Sequence, residues 1–408
     1  MNNPAQTIVV DDFPVAHRSL RIALVTETYP PEVNGVARTL AQVVEGLRAR
    51  NHELQLLRPR QSAADQAGAD ARFHEVLMRG LPMPRYPALK IGLPAKNALV
   101  RLWTTRRPDL VHIATEGPLG WSALQAAKRL RLPVTSDFRT NFHAYSKHYG
   151  AGWLHKPIML YLRKFHNATQ CTMVPTEALR RSLVEYGFRD VFVVARGVDT
   201  RLFDPARRSE ALRRSWAVAP DQLVVLYVGR LAPEKNLEAL AQAFASLRQR
   251  RADAKLVLVG DGPAARAIQS LCPDAVFAGM RAAEDLAAHY ASADLFLFPS
   301  LTETFGNVTP EAMASGLPVV AFDYAAAAQI VASGRNGMLA PFGDSAAFVG
   351  LATELAGDAA RRRAMGRHAR HTAEQMNWDR IIVQIEERFM AVLVGAHAQA
   401  VQPQLLAS

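Results

Sequence analysis

One pattern constrains this chain more than any other: a short apolar run rich in β-branched residues, then a turn cluster, then apolar positions spaced three and four apart. The first copy starts at RIALVTETY, which reads as a buried strand, and passes through the turn residues PPEVNG. In VARTLAQVVEGLRARNH the residues Val36, Leu40, Val43, Val44 and Leu47 then fall on one helical face, and ELQLLRP returns as a strand. The alternation continues through DLVHIAT, the helical stretch WSALQAAKRLRL, PVTSDF and TMVPT. Such β-α-β units predict a parallel sheet with helices on both faces.

Around ARGVDTRLFDPARRSE the periodicity lapses and turn residues gather, which marks a domain boundary. The pattern then begins again with QLVVLYVG, KLVLVG, AVFAG, LFLFPS, LPVVAF and GMLA as strands, and with helical spacing between them, as in Leu237, Leu240, Phe244 and Leu247. A length of 408 residues suits two such units. The expected division is a tail over 1–18, one domain over 19–195 and a second over 196–376. A terminal helix over 377–395 and a tail over 396–408 follow. The apolar stripe Ile381, Ile385, Phe389 and Leu393 in that helix needs a surface, and the first domain is the expected one. The proline-rich stretch from Phe73 to Lys96 is expected to be a loop.

Several classes of protein are excluded early. With 49% hydrophobic and 21% charged residues the chain is neither disordered nor fibrous. Cys171 and Cys272 are its two cysteines and sit in apolar stretches, so no CxxC site is formed and a reducing compartment is expected. The first twenty residues lack the basic start and long apolar run of an export signal, and Asp323 interrupts the most apolar stretch, so the expected location is cytoplasmic. The net charge of +11 lies wholly in residues 1–200, where 27 Lys and Arg face 16 Asp and Glu; the remainder holds 21 of each. That asymmetry suits an anionic partner, a membrane surface among them, or simply dispersed arginines on solvated helices. No basic-aromatic motif for nucleic acid appears, and none is expected as a partner. Arg101, Trp103, Arg106 and Arg107 are candidates for contact with anionic headgroups, although a helix packed on the sheet explains them equally well.

Ligand crevices of open parallel sheets lie at the carboxyl ends of the strands, and four motifs fall there. After LYVG come Gly229 and Arg230, with Lys235 five residues beyond Arg230 at a strand-to-helix junction. A bidentate guanidinium and a point charge beside a helix start suit a diphosphate, although two surface cations look the same in sequence. In VGDGP, Gly260 and Gly262 permit close backbone approach, but the dinucleotide fingerprint is not completed. After LFLFPS, Glu303 and Glu311 are eight residues apart. They flank the loop Phe305, Gly306, Asn307 and Val308, which leads into a helix that Thr309 would cap and Pro310 would begin. Amides at that helix start could hold an anion while the two carboxylates accept hydroxyl groups on either side, a pattern that a nucleotide sugar matches. The fourth motif is PPEVNG, where Asn34 precedes Gly35 at a helix start; a plain turn accounts for it equally well.

Taken together, GRLAPEKN, LVGDGP, SADLFLFPSLTETFGNVTPEAMASGLPVVA and GVDTRLFDP resemble the retaining nucleotide-sugar glycosyltransferases of glycosyltransferase family 4 over nearly the whole chain from Arg21 onward. TETYPPEVNGVARTL and EGPLGWSALQAAK look most like the bacterial α-mannosyltransferases and glycolipid-forming members. The resemblance implies an α/β chain of the GT-B fold, with two Rossmann-like domains facing a central cleft. It implies that Arg230 and Lys235 bind the donor diphosphate, that Glu303 contacts the transferred sugar, and that Glu311 holds the ribose. Gly35, Gly229, Gly260, Gly262, Met280, Phe305, Gly306, Asn307 and Val308 would line the donor. No metal and no other cofactor is implied, Arg and Lys taking the cation's place. The two glutamates are then not a glycosidase pair, and no covalent sugar-enzyme intermediate is expected.

The implied donor is a GDP- or UDP-sugar, GDP-mannose favoured, and the implied acceptor is a lipid, a lipid-linked sugar or a glycan. In one place the chain departs from the pattern. Many members have histidine in a short F/Y-H-T-N element, and here Arg139 occupies that position within DFRTNFH, with His143 following. Arginine is no general base, so Arg139 is expected to neutralise a phosphate or a charged sugar on the acceptor side with Asn34 and His143. A nucleotide-sugar epimerase and a non-catalytic binding module are the other classes compatible with the architecture.

Overall fold

The computed structural model describes residues 18–32, 34–83, 86–139 and 155–405. Its strands, in chain order, are β1 (Arg21–Val25), β2 (Glu53–Pro59), β3 (Phe73–Met78), β4 (Gly80–Met83), β5 (Tyr86–Gly92), β6 (Leu110–Ile113), β7 (Val134–Asp137), β8 (Cys171–Val174) and β9 (Val191–Val193). The second half contributes β10 (Val224–Val228), β11 (Lys255–Val259), β12 (Val276–Gly279), β13 (Leu295–Phe298), β14 (Val319–Phe322) and β15 (Gly337–Ala340). Seven strands form one sheet in the order β3-β2-β1-β6-β7-β8-β9, and six form another in the order β12-β11-β10-β13-β14-β15. Every pairing in both sheets is parallel.

Both sheets are buried on two faces, which is why their strands read as continuous apolar runs rather than alternating ones. Helices separate most successive strands of the two sheets, as Gly35–Ala49 does between β1 and β2 and Leu237–Arg250 between β10 and β11, whereas β2 passes to β3 without one. In each sheet the chain winds outward from a central strand and then returns to its other side, so strand order reverses between β1 and β6 and again between β10 and β13. The crevices beyond those reversals are where ligands bind in open α/β sheets. The loops after β1, β10, β11 and β13 are the ones that carry the sequence motifs.

The stretch from Phe73 to Lys96, expected as a loop, is instead structured. Residues 73–78 extend the first sheet as β3, with Phe73 opposite Leu54, and β4 and β5 form a separate antiparallel ribbon with Gly80 opposite Gly92. The prolines misled because a two-stranded ribbon has two free edges, and an edge strand tolerates a residue without an N–H donor. Trp103 is likewise corrected. It is fully buried among Leu57, Leu99, Val111 and Leu124 and cannot reach a headgroup, whereas Arg101, Arg106 and Arg107 are exposed.

The helix Trp378–Leu405 follows the second domain in sequence but places Ile381, Ile382, Ile385, Phe389 and Leu393 in a cluster with Leu40, Val43 and Leu47 of the first. Each such side chain contributes roughly 1.5–3 kcal/mol on full burial. The approach is close at Gly46, where a Cβ would lie 2.4 Å from Ile382 Cγ1. Glu386 fastens the same surface by pairing with Arg50 and by a 2.6 Å contact with His52 Nε2. No helix among the described residues is long and apolar enough to cross a membrane.

Candidate active site

The second domain builds its side of the cleft from three loops laced backbone to backbone. Gly229 N donates to Val259 O at 3.0 Å, Gly260 N to Gly279 O at 2.9 Å, and Leu231 N to Asp261 O at 3.0 Å. Gly260 and Gly262 have φ of +137° and +158°, and a Cβ would lie 1.9 Å from Gly229 O at the first and 2.4 Å from Leu231 O at the second. Both glycines therefore have a packing reason, namely that the loop after β11 presses against the loop after β10. The effect is to fix Arg230, whose carbonyl also accepts from Tyr227 Oη at 3.1 Å. Met280 lies beyond β12 and is 59% exposed.

Lys235 ends a short 3-10 turn, Pro233–Lys235, and Asn236 in the left-handed region (φ 53°) turns the chain into the helix that follows. The lysine is buried. Its Nζ pairs with the Glu303 carboxylate and donates to Thr302 O at 3.3 Å, and Ser300 Oγ donates to the same carboxylate at 2.9 Å. The predicted cation and the first predicted glutamate are thus in direct contact, on loops after different strands. Gly306 (φ +92°) packs beside Glu303, where a Cβ would lie 3.4 Å from Glu303 Cγ.

The helix Val308–Ala314 starts two residues before the expected position. Asn307 is its cap residue, and Thr309 and Pro310 lie inside the first turn. Asn307 does not cap with its side chain; Nδ2 instead crosses the cleft to Gly35 O at 3.4 Å and Thr39 Oγ1 at 3.2 Å. Glu311 faces inward, 8% exposed, accepting from Tyr290 Oη at 3.0 Å and pairing with Arg38 Nη1 of the first domain at 3.3 Å. Burial pushes its carboxyl above the usual range, and Arg38 and the Tyr290 hydroxyl pull it back in part. Phe305, nearly fully buried, anchors the loop through its carbonyl to Ala326 N at 2.8 Å.

Opposite stands the helix Gly35–Ala49. Asn34 caps it, accepting from Ala37 N at 2.8 Å, and its amide donates to Thr28 Oγ1 at 2.7 Å. The structure thereby brings Gly35 to the Asn307 side chain. A Cβ there would lie 3.6 Å from Asn307 Nδ2, in ordinary contact. Deeper in the first domain, Arg139 pairs with Asp137 at the end of β7, and His112 Nε2 lies 3.2 Å from the same carboxylate. Burial raises Asp137, but Arg139 and His112 outweigh it and hold the group ionised well below the usual range. His143 lies outside the described residues.

Four residues at this cleft escaped the sequence reading. Arg38 and Thr39 sit in the first turns of a helix that was read for its apolar face, Tyr290 sits in the helix Ala283–Ala291, and Arg196 lies in the turn cluster read as a boundary. Arg196 Nη1 donates to Thr39 Oγ1 at 3.1 Å, and its guanidinium lies 5.9 Å from the Phe305 ring centroid. A cationic first-turn residue at a helix start runs against the helix dipole, and Arg38 showed that signal.

Two parallel sheets with their crevices turned to one cleft define the GT-B class of glycosyltransferase. Sucrose-phosphate synthase from Thermosynechococcus elongatus has the same fold, with a TM-score of 0.76 over 92% of this chain and 100% of that one at 21% identity. HepE of Anabaena aligns at 0.72 over 91% and 100%, also at 21% identity. The model for Glycosyltransferase Family 4 matches residues 33–202, and that for Glycosyl transferases group 1 matches residues 222–358. A GDP-mannose-dependent alpha-mannosyltransferase of Corynebacterium glutamicum is 33% identical over 92% of this chain and 90% of its own. The protein of the same description from Mycobacterium tuberculosis is 36% identical over 80% and 85%. The chain belongs to glycosyltransferase family 4, and it is a glycosyltransferase.

Proposed function

We propose that this enzyme moves a hexosyl group, α-mannosyl from GDP-mannose, onto a lipid, lipid-linked or glycan acceptor with retention of configuration. The observation that carries the donor assignment is the kinship with GDP-mannose-dependent alpha-mannosyltransferases at 33–36% identity across most of the chain. A glucosyl or related group from a UDP-sugar is the alternative; an Alpha-monoglucosyldiacylglycerol synthase of Streptococcus pneumoniae, 27% identical over 74% of the chain, supports glucosyl transfer. Glycolipid formation by that relative also supports a lipid-borne acceptor. In this reading the domain over 19–195 binds acceptor and the domain over 196–376 binds donor.

The geometry supports specific roles. Arg230 and Lys235 carry positive charge to the diphosphate without a metal, the charge-assisted contacts strengthening as the phosphate leaves. Lys235 also holds Glu303 beside Gly306, where its carboxylate meets the transferred sugar. Glu311, buried between Tyr290 and Arg38, accepts the ribose hydroxyls. The departing phosphate takes the acceptor proton on the face it leaves. Exposed Arg101, Arg106 and Arg107 bring the enzyme to an anionic membrane face; liposome sedimentation that does not depend on anionic lipid would remove that element.

Slow hydrolysis of GDP-mannose, followed by proton NMR with a chelator present, tests the reading. The first mannose to form is expected to be the α anomer. First formation of the β anomer, or a sugar isomer still attached to the nucleotide, would contradict it.

A further inference from the structure

Two arginines that donor chemistry does not use lie at the cleft, Arg139 just past β7 of the first domain and Arg196 just past β9, where the second domain begins. Arg139 and Arg196 are 8% and 7% exposed, and both line a cavity of about 30 Å³ whose remaining walls include Val43, Val194 and Ile385. A space of that size holds a water or a small polar group. Burying a guanidinium is costly unless a counter-charge comes with it. Asp137 is the one carboxylate lining this cavity among the described residues, and Arg139 already pairs with it. His112 is the other titratable group on that carboxylate. Arg139 Nε, buried, has no hydrogen-bond partner among the described residues, and Arg196 is anchored by a neutral hydroxyl, Thr39 Oγ1. Burial, with Arg139 nearby, lowers Arg196 to about 9, and Asp137 offsets them only in part.

Position narrows what would supply that charge. Thr39 Oγ1, which receives Arg196, also receives Asn307 Nδ2 from the donor loop, and the Arg196 guanidinium faces Phe305. The cavity therefore lies one hydrogen bond from the place assigned to the transferred sugar, but Arg196 apart its walls belong to the first domain and the terminal helix. We propose that Arg139 and Arg196 form an oxyanion subsite that selects an acceptor bearing a carboxylate or a phosphate. The inference rests on the proposed transferase reading and adds a substrate class to it. A planar carboxylate or a phosphate suits paired guanidinium forks, and Thr39 sets its distance from the reacting sugar.

Calorimetric titration of the full-length protein tests this in two stages. GDP is titrated first and reports on the donor site alone; no binding there would overturn the transferase reading and the subsite together. To the GDP-saturated protein, octyl glucuronide and octyl glucoside are then added below their micellar concentrations. The glucuronide is expected to bind about tenfold tighter or better, and its methyl ester to lose that preference, a control that requires no change to the protein. Arg139→Gln and Arg196→Gln should each bring the ratio towards one. Equal affinities in the unaltered protein, no binding of either glycoside, or a preference that survives both substitutions would overturn the subsite while leaving the donor reading intact. UDP-glucuronate and UDP-glucose, titrated against the ligand-free protein, are expected to bind alike. A preference for the charged sugar that both substitutions remove would place the anion on the donor and overturn the acceptor assignment.

Discussion

Asn307 Nδ2 lies 3.2 Å from Thr39 Oγ1, so the residue that caps the helix Val308–Ala314 is bonded to the helix opposite. The Thr39 hydroxyl also donates to Gly35 O at 2.8 Å and accepts from Arg196 at 3.1 Å, which makes it a junction between the domains. With the Arg38 and Glu311 pair, it ties the two walls of the cleft by side chains that also face the ligand space.

Asn307→Ala should loosen that tie without disturbing either core. A single neutral hydrogen bond contributes about 0.5–1.5 kcal/mol, so GDP is expected to bind roughly two- to tenfold more weakly. Calorimetric titration checks this, and an unchanged dissociation constant would remove the contact from the account of closure.

Lys235→Ala removes the partner of Glu303 and, in the proposed reading, one contact to the diphosphate. A charge-assisted bond of roughly 1.5–3 kcal/mol, realised in the transition state, corresponds to about 10- to 150-fold in kcat. Steady-state turnover of GDP-mannose reads this directly. Turnover equal to that of the unaltered enzyme would refute the role.

How far the sequence reached is clearest at the second sheet. The six apolar runs that read as strands are β10 to β15, because strands buried on both faces have few polar residues to blur them. The charged motifs followed those strands and landed at the cleft. What was not legible depended on partners distant in sequence. The Glu303 and Lys235 pair spans 68 residues and that of Glu311 and Arg38 spans 273. Arg196 looked like part of a linker because nothing nearby in the chain explains it; its partners are Thr39, 157 residues away, and Phe305. Asn307 was passed over as a cap because its side chain has a better use across the cleft.

Gly260→Ala and Gly279→Ala separate packing from backbone strain. At Gly260 a Cβ would meet Gly229 O at 1.9 Å with φ at +137°, whereas at Gly279 nothing among the described residues lies within 4 Å and φ is +70°. The second change should cost about 1–2 kcal/mol for the left-handed backbone alone. The first should cost clearly more, since the loop after β10 must shift, and Arg230 with it. Chemical denaturation of both variants measures the difference, and equal losses would contradict the close-packed loops.

Glu116 gives stability a pH dependence. It is buried, its Oε1 lacks a hydrogen-bond partner among the described residues, and burial, with Asp137 and Glu27 nearby, raises its carboxyl from 4.5 to about 8. The folded chain thus keeps a proton that the unfolded chain releases above 4.5. The group's contribution is full below that value, declines as pH rises, and levels off beyond about 8. Glu116→Gln should remove the decline, so its melting temperature relative to the unaltered protein should rise from pH 5 to pH 8. A difference that does not change with pH would contradict this.

The central claim is that the loop between Glu303 and Glu311, with Arg230 and Lys235, holds a nucleotide sugar. Its most direct test exposes the purified protein to GDP-, UDP- and ADP-sugars in the presence of a chelator while thermal shift and nucleotide release are followed together. A selective upward shift with GDP-mannose, accompanied by slow release of GDP, is the predicted result. No shift with any of them at saturating concentration, on folded protein, would contradict the account.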